Sequence, residues 1–256
     1  MVNLLIGLCL LIPIAIISVV LPFPSVSRAC FFSVNLLYRW CVSVDSFWMQ
    51  QIIGIELIIV GEANSDVAPI VICNHQSWFD IPLIQDVISR RGPMLKFLVK
   101  QELVWVPIIG WICLVLNFPR LNRSKQSGAR KADFSIIEKT TKAHGKEGAL
   151  LIFPEGTRFT LNKHQSQRSP YERLLKPKAG GLRVIKNNTD PSTPLVDITI
   201  DYGDVKPNIW RCLHGDPRQI RITIEHFTLA ELDNLEQWLN NRWHEKDAIL
   251  KQTDES

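Results

Sequence analysis

The first 27 residues carry no charged side chain, and the whole chain of 256 residues is only 21% Asp, Glu, Lys and Arg against 46% hydrophobic residues. The apolar residues gather at the N-terminus, which points to a membrane. No C-x-x-C pair occurs. The six cysteines, Cys9, Cys30, Cys41, Cys73, Cys113 and Cys212, are scattered and sit mostly inside apolar runs. That scatter indicates neither a zinc site nor a disulfide framework and reads as reduced thiols facing a cytosolic compartment. Internal repeats are absent too. No basic stretch precedes the apolar segment, and Arg28 breaks the small-residue pattern that a cleavage site requires, so a cleaved signal peptide is not expected.

What is present begins with residues 4–23, uncharged, apolar but for Ser18, and long enough to cross roughly 30 Å of hydrocarbon. Pro13 would kink a helix there, and Pro22 with Pro24 would end it, so spanning and dipping into one leaflet both stand. Every Lys and Arg follows this segment, which places residues beyond it on the cytoplasmic side of the inner membrane. Residues 31–59 are again rich in Trp, Leu and Ile. They read either as a second membrane-touching element or as an amphipathic helix packed on the domain and followed by a buried strand. Three regions result: a membrane helix at 1–27, a membrane-proximal amphipathic segment at 28–54, and a domain at 55–256, a size that one hydrophobic core can fill. The formal charge is only +4, but residues 123–186 hold many more bases than acids. The positive face they imply suits anionic lipid, a phosphate-bearing substrate or an acidic carrier protein, or is simply solvated.

From residue 55 onward, short β-branched runs alternate with helical or loop segments, the pattern of an α/β domain on a mixed, largely parallel sheet flanked by helices. The expected strands are 55–60, 69–73, 95–99, 112–117, 149–153, 195–200 and 221–225. Helices are expected at 81–90, 129–143 and 229–250. The last carries Leu232, Leu235, Trp238, Leu239 and Trp243 on one stripe, read as core packing. Residues 159–177 read as a long basic loop.

Two strand ends carry the chemistry. The run Ile70-Val71-Ile72-Cys73 leads into Asn74-His75-Gln76-Ser77-Trp78-Phe79-Asp80, and ligand groups in α/β domains lie just past the carboxyl ends of strands. Residues five apart on one helix diverge by roughly 140°, so Asp80 reaches His75 only if His75 lies in the turn. An imidazole so held can take a hydroxyl proton as the oxygen attacks a carbonyl, while the carboxylate fixes its tautomer. Taken alone, the segment also fits a histidine capping a turn. The second strand end, Phe153-Pro154-Glu155-Gly156-Thr157-Arg158, changes that balance, because it offers a carboxylate and a guanidinium suited to a phosphate monoester. On its own that hexapeptide also fits a turn with an internal ion pair. Cys73, beside His75, raises the alternative of a thiol nucleophile, but its place at the end of an apolar strand suits a buried small residue.

Together N-H-x4-D and F-P-E-G-T-R, in this order and about eighty residues apart, resemble motifs I and III of the PlsC-like 1-acylglycerol-3-phosphate acyltransferase family. The resemblance covers roughly residues 55–228. It includes Lys100-Gln101-Glu102-Leu103 and the motif II-like Asn117-Phe118-Pro119-Arg120-Leu121-Asn122-Arg123. Arg123 maps to that motif's arginine, with Arg120 competing for the role. Lys178-Ala179-Gly180-Gly181 resembles the basic stretch after motif III, and Thr193-Pro194-Leu195-Val196 loosely matches motif IV. Trp105-Val106-Pro107 and the stretch from Gln237-Trp238 to Glu245-Lys246-Asp247 look most like the bacterial YihG-like branch.

The resemblance implies a glycerolipid acyltransferase-like fold and transfer of a fatty acyl group from a coenzyme A or acyl-carrier-protein thioester to the sn-2 hydroxyl of a lysophospholipid, usually lysophosphatidate. It implies His75 as general base and Asp80 as its orienter. Lys100, Arg123, Glu155, Gly156, Thr157, Arg158 and Lys178 would bind the acceptor. Neither a metal nor a redox cofactor is implied, and no nucleic-acid partner. Its partners are the lysolipid, the acyl thioester, the bilayer and, where it is the donor, acyl carrier protein. An acyl chain needs an apolar tunnel or the bilayer itself; Trp105, Ile108, Ile109 and Trp111 could line one, although packing within the core is the favoured reading. A scaffold that keeps the fold without the activity is the contrasting reading.

Overall fold

The computed structural model describes residues 2–21, 23–62, 67–90, 92–122, 128–142, 148–203 and 207–252. Nineteen residues, apolar but for Asn3 and Ser18, form α1 (Val2–Val20), with Pro13 inside it. At 1.5 Å per residue that is about 28 Å of helix, close to the thickness of bilayer hydrocarbon. Residues Asn3–Val20 have mean hydropathy 2.7 and only 17% of them are buried. Pro24 opens α2 (Pro24–Phe47), a position where proline's missing N–H leaves no bond unmade. One side of α2 buries Tyr38, Val42 and Ser46; elsewhere Phe31, Phe32 and Leu36 stand exposed. A π-helical turn (Trp48–Ile52) closes it.

The domain then runs β1 (Glu56–Val60), β2 (Ile70–Cys73), α3 (Asp80–Ser89), β3 (Leu95–Phe97), β4 (Val99–Lys100), a 3₁₀ turn (Gln101–Trp105), α4 (Ile109–Val115), β5 (Arg120–Leu121) and α5 (Ala129–Lys142). It continues with β6 (Ala149–Ile152), α6 (Leu161–Gln167), α7 (Ala179–Asn188), β7 (Pro194–Asp201), α8 (Ile209–Leu213), β8 (Gln219–Thr228), a 3₁₀ turn (Leu229–Glu231) and α9 (Leu235–Gln252). The main sheet has the order β1-β8-β7-β2-β6-β3, parallel except between β7 and β8. A short parallel pair, β4 with β5, stands beside it. The mixed, largely parallel sheet flanked by helices is therefore as expected.

Side-chain alternation along the central strands sorts the core into two layers. Val71 and Cys73 of β2 join Ala149 and Leu151 of β6 in a cluster with Phe79, Leu83 and Ile84, on the α3 side. Ile70, Ile72, Leu150 and Ile152 point to the other face, against Leu182 and Ile185 of α7 and Leu235, Leu239 and Trp243 of α9. The apolar stripe of the last helix is core, as read. Burying one such Leu or Ile is worth about 1.5–3 kcal/mol, so these two layers hold the carboxyl ends of β7, β2 and β6 in fixed register.

Several elements differ from expectation. Residues 112–117 are not a strand: most of them form α4, because Leu103, Ile109, Cys113 and Phe118 close a small cluster under a helical turn. The same packing turns Trp105 and Trp111 outward, 85% and 52% exposed, so they are not core residues. Residues 95–99 split between two sheets. β1 is an edge strand with Ile59 and Val60 exposed, not a buried one, since only β8 covers it. The basic loop carries α6, capped by Thr160, whose hydroxyl accepts from the Lys163 amide. The helix expected from 229 begins at Leu235, after a capping box built by Thr228 and Glu231.

Candidate active site

β2 ends at Cys73, and the chain turns away from the sheet over Asn74 to Phe79 before α3 begins. Asn74 keeps the ladder satisfied through that departure: its side chain donates to the Ile200 carbonyl and accepts from the Ile200 amide, both at 2.9 Å. An amide side chain is both donor and acceptor, which is what replacing a strand residue requires. The Ser77 hydroxyl then accepts from the Phe79 amide at 3.2 Å, initiating α3 with Asp80 as its first residue.

His75 thus lies in the turn and Asp80 on the helix. Asp80 is fully buried and draws four donors: His75 Nδ1 at 2.8 Å, the amides of Gln76 at 2.8 Å and Ser77 at 3.0 Å, and the Tyr202 hydroxyl at 2.6 Å. Those bonds offset the desolvation of a buried carboxylate. A carboxylate accepts, so Nδ1 carries the proton and Nε2 presents its lone pair. No described residue bonds Nε2, and the His75 side chain is 14% exposed. The ring is stacked on Phe153 with centroids 3.9 Å apart, which fixes its plane.

Phe153 directly follows β6, the parallel neighbour of β2, so the two strand ends share one rim. Gly156 sits at φ 71°, a left-handed turn that disfavours a side chain, and Lys178 Nζ lies 3.6 Å from where a Cβ would stand. Glu155 is fully buried. Its oxygens accept from the amides of His75 at 3.2 Å and Leu175 at 3.3 Å. Burial pushes its carboxyl up to about 8, against the opposing pull of these two amides. An internal ion pair with Arg158 is therefore not what shapes this turn: Glu155 faces inward, and the exposed Arg158 guanidinium lies 4.7 Å over the Trp78 ring. Lys163 Nζ braces the turn from α6, donating to Thr157 Oγ1 at 2.7 Å and to the Arg158 carbonyl at 3.0 Å.

The rim thus gathers His75, Asp80, Glu155, Gly156, Thr157, Arg158 and Lys178. Lys100 lies on β4, where its ammonium pairs with Glu102 at 2.8 Å. Arg120 is exposed on β5, and Arg123 lies outside the described residues. Cys73 is fully buried, and desolvation raises its thiol well above the usual range, which is unfavourable for a nucleophile.

Residues 58–200 match the family model Acyltransferase. This chain belongs to the acyltransferase family. The acyltransferase is 30% identical over 197 residues to a 1-acyl-sn-glycerol-3-phosphate acyltransferase of Cocos nucifera, covering 77% of this chain and 57% of that one. It is 24% identical to a lysocardiolipin acyltransferase 1 of Danio rerio over 84% of this chain and 62% of the relative. The chain therefore spans about three fifths of the length of such relatives. Its fold matches the crystal structure of the 1-acyl-sn-glycerophosphate acyltransferase PlsC from Thermotoga maritima, with a TM-score of 0.57, 17% identity, and coverage of 98% and 97% of the two chains.

Tyr202, Lys163 and the Leu175 amide were not singled out from the acyltransferase sequence. Tyr202 had a signal, since it directly follows β7, whose carboxyl end borders β2. Lys163 had none, because α6 was hidden in a polar run, and a backbone amide such as that of Leu175 leaves no mark in residue types.

Proposed function

We propose that the acyltransferase moves a fatty acyl group from a coenzyme A or acyl-carrier-protein thioester to the sn-2 hydroxyl of lysophosphatidate. The carrying observation is the His75–Asp80 pair on the rim it shares with the Glu155–Arg158 turn. His75 Nε2 takes the hydroxyl proton as that oxygen attacks the thioester carbonyl. Asp80 stabilises the resulting imidazolium. The tetrahedral oxyanion collapses, the C–S bond breaks, and the leaving thiolate takes the proton back from His75, so the histidine returns to its starting state. The turn amides of Thr157 and Arg158, which make no hydrogen bond among the described residues, are the candidate oxyanion donors.

Arg158, Lys163 and Lys178, with Lys100 and Arg123 as further candidates, supply cations for the acceptor's phosphate. α1 would hold the enzyme on the cytoplasmic face of the inner membrane. The reaction as written needs no metal or redox cofactor. Trp105-Val106-Pro107 supports a bacterial YihG-like subgroup. The lysocardiolipin acyltransferase among the relatives supports a second reading, another lysophospholipid as acceptor.

The test crosses lysophosphatidate, lysophosphatidylglycerol and lysocardiolipin with acyl-CoA and acyl-carrier-protein donors. Product should form most rapidly with lysophosphatidate and fall by at least about 10³-fold in His75→Ala. Asp80→Asn should lose a comparable factor. Product from neither donor with any of the three acceptors would defeat the proposal and favour the inactive scaffold.

A further inference from the structure

Two exposed indoles fall in one short stretch, Trp105 at 85% and Trp111 at 52%, with Val106 and Leu114 of the same stretch also exposed, whereas Trp210 at 68% stands apart on α8. All four belong to one excursion of the chain, the 3₁₀ turn Gln101–Trp105 followed by α4. The excursion leaves the sheet just past the carboxyl end of β3, which is parallel to β6. It therefore starts at the rim that carries His75 and Glu155, and its far end returns along β3, where Leu116 packs against Met94.

The excursion is built to present that face. Leu103, Ile109, Cys113 and Phe118 turn inward and close a cluster of their own. Gly110 lets the helix approach the turn so closely that a Cβ would sit 2.3 Å from the Val104 carbonyl oxygen. Between them Pro107, Ile108 and Ile109 form a γ-turn, in which the Ile109 amide donates to the Pro107 carbonyl at 2.8 Å. Ile108 is held at φ 67° and ψ −63°, a strained setting for a β-branched residue. Surroundings must enforce such a conformation, and here it lies between the two segments that carry the indoles. Water gives no reason to display them, whereas the headgroup boundary of a bilayer does, because an indole has an apolar body and one N–H to leave in the wet layer.

The neighbour of this face decides the occupant. α1, apolar but for Asn3 and Ser18 and barely buried, packs on α4, and its Leu11, Ile14 and Val19 line one cavity with Val115 and Leu116. A bilayer that receives α1 meets the outer face of α4 as a continuation of the same surface. We propose that the excursion over Gln101–Val115 is a second membrane contact, made by the catalytic domain itself. Trp105 and Trp111 anchor it in the lipid interface beside the rim that carries His75. Lysolipid then reaches the rim from the bilayer surface and not from bulk water.

The test uses the full chain reconstituted in vesicles of phosphatidylglycerol and phosphatidylcholine, the latter brominated on its acyl chains to quench nearby indoles. In the Trp105→Phe/Trp111→Phe double variant the lipid-quenched part of the tryptophan emission should shrink. If only the unquenched part shrinks, both indoles sit in water and the proposal fails. This readout does not depend on the proposed reaction. A second measurement does: Trp105→Ser/Trp111→Ser should raise KM several-fold for long-chain lysophosphatidate in vesicles and leave kcat/KM for a short-chain, water-soluble lysophosphatidate unchanged. Equal losses on both acceptors would overturn the delivery role. Should the serine variant instead convert a dimer in detergent to a monomer with lipid quenching unaltered, the face joins two copies of the chain and the proposal is wrong.

Discussion

At the residue scale, the His75–Asp80 pair was legible because its chemistry is written in residue types and its geometry follows from where the strand ends. Its support was not. The Tyr202 hydroxyl, which donates to Asp80 Oδ1, lies 122 positions away, and only the pairing of β7 with β2 brings it there. Burial holds the Tyr202 phenol well above its usual pKa, so it stays a donor. A hydrogen bond to a charged group is worth about 1.5–3 kcal/mol, and the Tyr202→Phe variant loses it with little change in volume. Its kcat should fall by roughly tenfold or more, with KM for both substrates near the wild-type value. A raised KM with kcat intact would show that Tyr202 serves binding and not the dyad. Glu155 makes a different prediction. Its carboxyl is protonated up to about pH 8 in the fold but only to about 4.5 in the unfolded chain. The folded state therefore holds a proton that the unfolded chain has lost, and stability should decline as pH rises across that window, approaching about 1.4 kcal/mol per pH unit. Thermal melts in detergent from pH 5 to 8 should show this contribution as a slope that Glu155→Gln removes; parallel profiles for the two proteins would refute it.

At the scale of elements, strand runs with two buried faces were easy to read and short apolar runs were not. Ile112-Cys113-Leu114-Val115 has the composition of a strand and becomes a helix, because periodicity over four residues cannot separate the two and the packing partners, Val99 and Phe118, lie outside the run. α7 was missed for a related reason: its first turn holds Gly180 and Gly181, poor helix formers, and its stability comes from Leu182 and Ile185 buried against the sheet. Gly110 is the opposite case, a glycine required by contact. In Gly110→Ala the added methyl group meets the carbonyl oxygens of Val104 and Leu103, which belong to backbone and cannot swing aside. Overpacking of this kind costs about 1–3 kcal/mol. The melting temperature should drop by several degrees, with amide exchange rising first across residues 103–115. Unchanged exchange there would mean that α4 tolerates separation from the 3₁₀ turn.

At the scale of the whole molecule, the C-terminal helix reaches the site from the far side of the sheet. Lys246 is fully buried, donates to the Ile198 carbonyl at 2.6 Å and pairs with Asp197, and Arg242 adds Asp197, Glu225 and Glu245, so α9 is clamped onto β7 and β8. One residue further, Asp247 accepts from the backbone amides of Glu172 at 3.1 Å and Arg173 at 2.8 Å. That stretch in turn holds the site at two points: the Arg173 carbonyl accepts from the Gln76 side chain at 3.0 Å, and the Leu175 amide donates to Glu155. Asp247 therefore connects the clamp to both strand ends through backbone alone, a link that no motif could reveal because side-chain identity at 172–175 does not matter to it. Asp247→Ala leaves the Lys246 and Arg242 contacts in place, removes the ion pair with Lys251 and frees the amides of exposed Glu172 and half-buried Arg173, a loss of about 0.5–1.5 kcal/mol per hydrogen bond. The fold should survive that loss, since the two core layers are untouched, but the support of Gln76 and Glu155 should loosen. Hydrogen exchange is expected to rise at residues 171–175 and kcat to fall more steeply than stability does. If exchange at 171–175 stays protected while the whole protein melts earlier, Asp247 stabilises α9 only and the connection to the site is refuted.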